Sequence, residues 1–329
     1  MGKTEVLEAF TRIRVAAEAH MDDRDRARVG WSEETVTEVC SHQGLPVVTV
    51  IPFNRVQEGQ ATGADYLWWF LDQASSACFG MLVQAKRLNL DNGRWKVDIR
   101  HKEGRQFSDL LATARQLEVP AMYGVYTGGR VFRAEMPCFH DREPNCLGCR
   151  RMAISMISAY QLADVWSPTT TADLVLTESV PLENLVDPGI ASGAVRDLNL
   201  REIPPGQLRD FLLENQQGPL EVAKRIFQAV SEHRARGLSA ASAEAITIPG
   251  APLFPEVPED TGHYPGPYFH HFLQGLRESP PGYVRQLQRT RRHDGTISYL
   301  PGIAGPPRGP RRPRVLRDVD IDGVVLVTF

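Results

Sequence analysis

Two apolar runs joined by a short turn constrain this chain more than any other feature. Gly63-Ala64-Asp65-Tyr66-Leu67-Trp68-Trp69-Phe70 and Gly80-Met81-Leu82-Val83-Gln84-Ala85-Lys86-Arg87 are both strand-like, and a Ser/Ala-containing turn separates them. That pattern predicts an antiparallel hairpin, 65–71 against 79–88. Side chains alternate across a strand, so Gln84 and Lys86 share one face and Val83 and Ala85 the other. A polar pair embedded in an apolar strand is costly without a partner or a use. Asp65, at the start of the first strand, can lie beside that pair.

The three side chains together suit divalent-metal chemistry at a phosphodiester. Asp65 supplies a hard, charged oxygen for Mg²⁺, and the Gln84 carbonyl a weaker, neutral one. Lys86 can stabilise developing phosphorane charge or orient the attacking water. A Mg²⁺ site wants more than one carboxylate, and Glu34 is the best candidate to supply the second, with Glu33 and Glu58 as alternatives. Metal-activated hydrolysis with in-line displacement follows. The competing explanation is a plain ion pair between a strand aspartate and a lysine.

The surrounding pattern is α/β. Val6, Leu7, Phe10, Ile13 and Val15 predict a helix from Thr4 to about His20. Ser32 predicts an N-cap, with a second helix to about Cys40 and Gly44 as its stop. Strands are expected at 46–53, 65–71 and 79–88, a helix near Phe107–Leu117 and a strand at Ala121–Tyr126. A helix from about Arg150 to Asp164 follows, then helices at 207–216 and 221–233. Residues 249–314 are rich in Pro, Gly and Arg and are expected to be loops, before a terminal strand containing Val324-Val325-Leu326-Val327. A division near Trp166 separates a core, 1–165, from a C-terminal α+β region, 166–329.

The Asp65 and Gln84-Ala85-Lys86 strings resemble the Asp…Gln-x-Lys variant of the PD-(D/E)XK nuclease superfamily, and are similar to its Mrr-type restriction endonucleases and Holliday-junction-resolvase-like enzymes. The resemblance spans roughly Trp31 to Tyr126. It implies a restriction-endonuclease-like core: helix, three-stranded antiparallel meander, helix, strand. It also implies a DNA endonuclease dependent on Mg²⁺ or Mn²⁺. The family's helical acid maps onto Glu34 (or Glu33), its strand aspartate onto Asp65, and its Gln-x-Lys onto Gln84 and Lys86. Ala64 stands where a proline is common. A role in restriction or anti-phage defence, as a homodimer or with a partner subunit, follows from the resemblance alone. Because Gln84 replaces an acid, the alternative is a catalytically inactive nucleic-acid-binding or protein-interaction module on the same fold.

A second cluster lies at 138–149. Cys138, His140, Cys146 and Cys149 form a Cys₃His set that closes a tetrahedral Zn²⁺ site with no open position, which predicts a structural knuckle and argues against a zinc hydrolase. The alternative is a redox-active or buried cysteine pair. Cys40 and Cys78 are expected to be buried apolar residues. The net charge of −3 places any DNA contact in local patches, for which Arg87, Arg94, Lys96, Arg291 and Arg292 are the candidates. Trp68 and Trp69 are expected in the core, and the His263–His271 His/Tyr cluster as packing. With no secretory h-region and no apolar run of about 18 residues, a cytoplasmic protein without a membrane span is expected.

Overall fold

A computed structural model describes residues 3–53, 66–92, 94–99, 105–129, 133, 138, 146–159, 161–162, 172–190, 211, 214–241, 275–292, 294, 296–297, 312–317, 319 and 321–329. The chain begins with helices α1 (Lys3–Arg26) and α2 (Glu33–Gln43), followed by strands β1 (Val48–Pro52), β2 (Tyr66–Leu71), β3 (Cys78–Asp91) and β4 (Arg94–Val97). Helix α3 (Arg105–Leu117), β5 (Ala121–Tyr126), the five-residue α4 (Leu147–Arg151), β6 (Ile154–Ser158), α5 (Ala172–Glu178) and β7 (Val180–Pro181) continue it. Last come α6 (Pro219–Ala241), β8 (Leu276–Arg277), α7 (Gly282–Gln288) and β9 (Gly323–Thr328).

Among the described residues the strands form one mixed sheet in the order β1-β9-β2-β3-β5-β6-β7, with β4 and β8 pairing the two ends of β3. The hairpin forms as expected: β2 and β3 pair antiparallel, from Tyr66 opposite Val83 to Leu71 opposite Cys78. The expected three-stranded meander does not. β9 stands between β1 and β2, antiparallel to the first and parallel to the second. Its Val324-Val325-Leu326-Val327 run is buried on both faces, which suits a central strand better than an edge. Strands from both sides of Trp166 therefore share one sheet.

Helices cover both faces. α1, α2 and α6 pack on one, against Met81, Val83 and Ala85 of β3. α3, α5 and α7 pack on the other, against Leu82 and Leu88. α1 presents Val6, Ala9, Phe10, Ile13, Ala17 and Met21 at helical spacing, and Val15, expected in this stripe, is half exposed because it falls off the helical phase. α3 buries Leu110, Thr113, Ala114 and Leu117 in the same way. Ser32 caps α2, its Oγ accepting from the Thr35 N–H while Thr35 Oγ1 accepts from the Ser32 N–H. Trp69 is fully buried in the sheet, and a Cβ at Gly80 opposite it would come within 2.7 Å of the indole ring, so only glycine fits that position.

One expected helix is replaced by a strand. Residues 150–164 carry β6, whose Ile154, Met156 and Ile157 are buried along with Ser155 and Ser158. A strand buried on both faces has no period-two signal, so its apolar positions imitate helical spacing. The expected helix at 221–233 is present within α6, whereas most of 207–216 lies outside the described residues. The 249–314 segment is described only in part and there contains β8 and α7.

Candidate functional site

The central strand β3 sets the site. Gln84 and Lys86 are 2% and 6% exposed and face the α3 side of the sheet, where β5 places Tyr123 and Val125 opposite them. Lys86 Nζ donates to Gln106 Oε1 of α3 at 2.6 Å. The next residue of α3, Phe107, stacks on Tyr123 at 6.4 Å, which fixes the helix that holds the lysine. The ammonium of a buried strand lysine thus meets a neutral amide.

The acids come from the other face. Glu33 opens α2 and is half-buried; burial raises its pKa, the Lys86 and Arg87 charges lower it, and the neighbouring Glu34 raises it, with a net upward shift. Glu33 is therefore an α2 acid in electrostatic reach of Lys86. Both line a cleft of about 650 Å³ together with Glu38, His42, Tyr66 and Asp322. Neither Gln84 nor Lys86 lines this cleft. Arg87, on the opposite side of the strand from Lys86, donates to the Trp31 carbonyl at 2.6 Å and ties β3 to the start of α2.

Asp65, Glu58 and His140 lie outside the described residues. Tyr66, which follows Asp65 in sequence, pairs with Val83, which precedes Gln84. Two residues of the site were not anticipated. Gln106 carries no sequence signal beyond its place as the second residue of a helix. Asp322 does carry one: like Asp65 it is an acid immediately before an apolar strand, and β9 runs parallel to β2 with Gly323 opposite Tyr66.

The five basic candidates divide. Arg291 is committed to the fold: it donates to Thr328 Oγ1 at 2.8 Å and to the Pro46 carbonyl, and burial lowers its pKa. Lys96 makes an exposed ion pair with Asp91 at 2.7 Å. Arg87, Arg94, Lys96 and Arg292 all present exposed side chains, the middle two on the outward side of β4. The His263–His271 cluster lies outside the described residues, and Trp69 belongs to the core as expected.

Cys138, Cys146 and Cys149 converge, their sulfurs all within 4.8 Å of one another, and this cluster could hold a metal ion. Cys146 caps α4, its Sγ accepting from the Cys149 N–H at 3.3 Å. Cys138 Sγ and Cys146 Sγ are 3.6 Å apart. Zn–S bonds of about 2.3 Å at the tetrahedral angle put sulfurs roughly 3.7 Å apart, so the spacing fits that ion. Cys78 is buried as expected, whereas Cys40 is half-buried beside the core; desolvation pushes the Cys40 thiol up to about 12 and the Cys78 thiol up to about 11.

No helix among the described residues is long and apolar enough to cross a membrane. No curated protein and no solved structure matches the chain. A family model does match, over residues 7–318, and on that span the chain belongs to the family of unknown function DUF6615.

Proposed function

We propose that the protein is a metal-dependent endonuclease acting on DNA, built on a restriction-endonuclease-like core. The observation that carries this reading is the buried Lys86, aligned with Gln84 on the central strand, whose charge is felt at Glu33. The succession α2, β1, β2, β3, α3, β5 supports the same core, with β9 as an insertion between β1 and β2. Glu33 or Glu34, with Asp322 in the same cleft and Asp65 as a further carboxylate, would hold Mg²⁺ or Mn²⁺, an acid-rich oxygen set that suits a hard cation, while Gln84 faces α3 and does not line that cleft. When bound, that ion supplies an activated water and charge neutralisation. Lys86 supplies a fixed positive charge in a water-poor environment, where it stabilises a pentacovalent phosphate most strongly. The exposed Arg94 and Lys96 would meet the phosphate backbone, and a place in restriction or anti-phage defence is the corresponding role.

The test is direct. Purified protein with Mg²⁺ or Mn²⁺ cleaves plasmid, linear or single-stranded DNA; Lys86→Ala and Asp65→Asn each lose about 10³-fold or more in rate while DNA binding is retained. Intact substrates under all these conditions would sink the reading. The second reading, a DNA-binding module that does not cleave, is favoured by the bond that already engages Lys86 Nζ with Gln106. Equal loss of binding and cleavage in Lys86→Ala would select it.

The cysteine cluster is a structural Zn²⁺ site, completed by His140. Its support is the sulfur spacing and the absence of disulfides among the five cysteines. Reduced protein is expected to contain one zinc per chain by elemental analysis, and protein free of zinc would remove the assignment.

A further inference from the structure

The cysteine cluster is joined to a set of buried charges that the proposed nuclease site does not use. Arg14 of α1 donates from Nε to Glu183 Oε2 and from Nη1 to Glu18 Oε2, each at 2.7 Å. Arg151 approaches the same Glu183 oxygen at 3.7 Å and pairs with Asp187 at 2.5 Å. Arg225 of α6 pairs with Glu221 and donates to the carbonyls of Asn184, Asp187 and Ile190. Arg133 pairs with Glu18 at 2.5 Å. Four guanidiniums thus meet Glu18, Glu183, Asp187 and Glu221, all at most about one-tenth exposed.

Two of the connectors run through α4, the helix that Cys146 caps and that contains Cys149. Arg151 is its last residue. The Cys149 carbonyl accepts from Arg133 Nη1 at 2.9 Å, while Arg133 Nε donates to the Gly128 carbonyl at 3.1 Å and Nη2 holds Glu18. A five-residue helix cannot hold its own shape in water. Its geometry depends on what fixes its first turn, and that turn is the Cys146 cap and the Cys149 thiol.

We infer that metal occupancy of the cysteine cluster acts as a clamp on the second half of α1 and on Leu182–Asp187, transmitted by Arg133 and Arg151. A thiophilic ion bridging Cys138, Cys146 and Cys149 fixes α4, and α4 in turn places the Cys149 carbonyl for Arg133 and the Arg151 guanidinium for Glu183 and Asp187. Loss of the ion frees α4, and the buried carboxylates Glu18, Glu183 and Asp187 lose cation partners that the interior requires. The first half of α1, held by Val6, Phe10 and Ile13 in the apolar core, stays in place. This inference rests on the zinc reading of the cluster.

The experiment compares hydrogen exchange in the zinc-loaded protein, the chelator-treated protein and the zinc-loaded Arg133→Met variant. Removal of zinc accelerates exchange about tenfold or more in peptides covering Arg14–Arg26 and Leu182–Asp187, leaves α3 unchanged, and is reversed by added Zn²⁺. Arg133→Met accelerates the Arg14–Arg26 peptides while still carrying one zinc per chain. A protein that contains no zinc and takes up none on titration overturns the zinc reading, and the clamp with it. A protein that binds zinc but shows the same exchange with and without it, or a uniform change that includes α3, overturns the clamp alone. Unchanged exchange in the Arg133→Met variant excludes Arg133 as the transmitter.

Discussion

Two of the regions in which the molecule buries charge treat it in two ways. Around Arg14, Arg133, Arg151 and Arg225, every guanidinium meets a carboxylate at ion-pair distance, and four positive groups face four negative ones. At Lys86 the ammonium is equally buried but is held by the neutral oxygen of Gln106, and the nearest acid argued for it, Glu33, acts over a longer range. A compensated network is what a fold needs to tolerate buried ions. A cation held by a neutral group keeps its field for something else, and such imbalance concentrates at functional sites. The titration directions repeat the contrast. Burial raises the Glu33 pKa on balance, whereas at Asp187 burial is outweighed by the Arg151 hydrogen bond, the Gly189 N–H and the Arg151 and Arg225 charges, so its pKa is lowered.

The contrast breaks most visibly at Glu183. Glu183→Ala removes one carboxylate from Arg14, which keeps Glu18, and from Arg151, which keeps Asp187, and the denaturant midpoint should fall by an amount equivalent to about 1.5–3 kcal/mol. If it falls by less than Lys86→Met does, the ion network is not the structural member of the pair.

How much of this was legible follows the same division. The β2–β3 hairpin, the Ser32 cap, α3 and β5 are each specified by residues close in sequence, so period and turn chemistry suffice to find them. The place of β9 between β1 and β2 depends on pairing with residues far away, which no local pattern records. β6 was hidden because burial on both faces removes the alternation that marks a strand. Gln84 and Lys86 stood out as polar residues in an apolar run, yet the choice between Glu33 and Glu34 is a matter of helix phase, about 100° of rotation. Arg14, Glu18, Arg151, Glu183 and Asp187 converge from three segments and carry no shared signal in one dimension.

Three smaller effects sharpen the contrast. Arg94→Ala with Lys96→Ala should weaken DNA binding by about tenfold and reduce the slope of log affinity against log salt by about 2, measured by fluorescence anisotropy; an unchanged slope would place the backbone contacts elsewhere. Lys86→Met should leave thermal stability within about 1 kcal/mol of the parent, because an apolar chain of similar length replaces a desolvated cation, while cleavage is lost. Larger destabilisation would make Lys86 a structural residue.

The smallest effect is in the pH dependence of the metal-free protein. A raised carboxylate pKa favours the fold below the ordinary value of 4.5 and loses that contribution as pH rises through the folded value. Glu33→Gln should therefore match or slightly exceed the parent in thermal stability near pH 7, by a few tenths of a kcal/mol, with the margin vanishing below about pH 4. Asp187→Asn should do the opposite. Its lowered pKa stabilises the fold above the ordinary value of 3.8, so the variant is weaker at neutral pH and the deficit narrows as acid protonates the parent. Melting curves at pH 3, 5 and 7 distinguish the two signs.

The position of β9 also sets a clock. β2 and β9 touch across more than 250 residues of sequence, Tyr66 against Gly323. A ribosome adding about 5–20 residues per second needs roughly 13–50 seconds to travel that distance. Throughout that interval β1 and β2 have been made but lack the strand that separates them, and each offers an open, apolar edge to other nascent chains. Yield of soluble protein should therefore depend on the rate of elongation and on holding chaperones more than on the final stability of the fold.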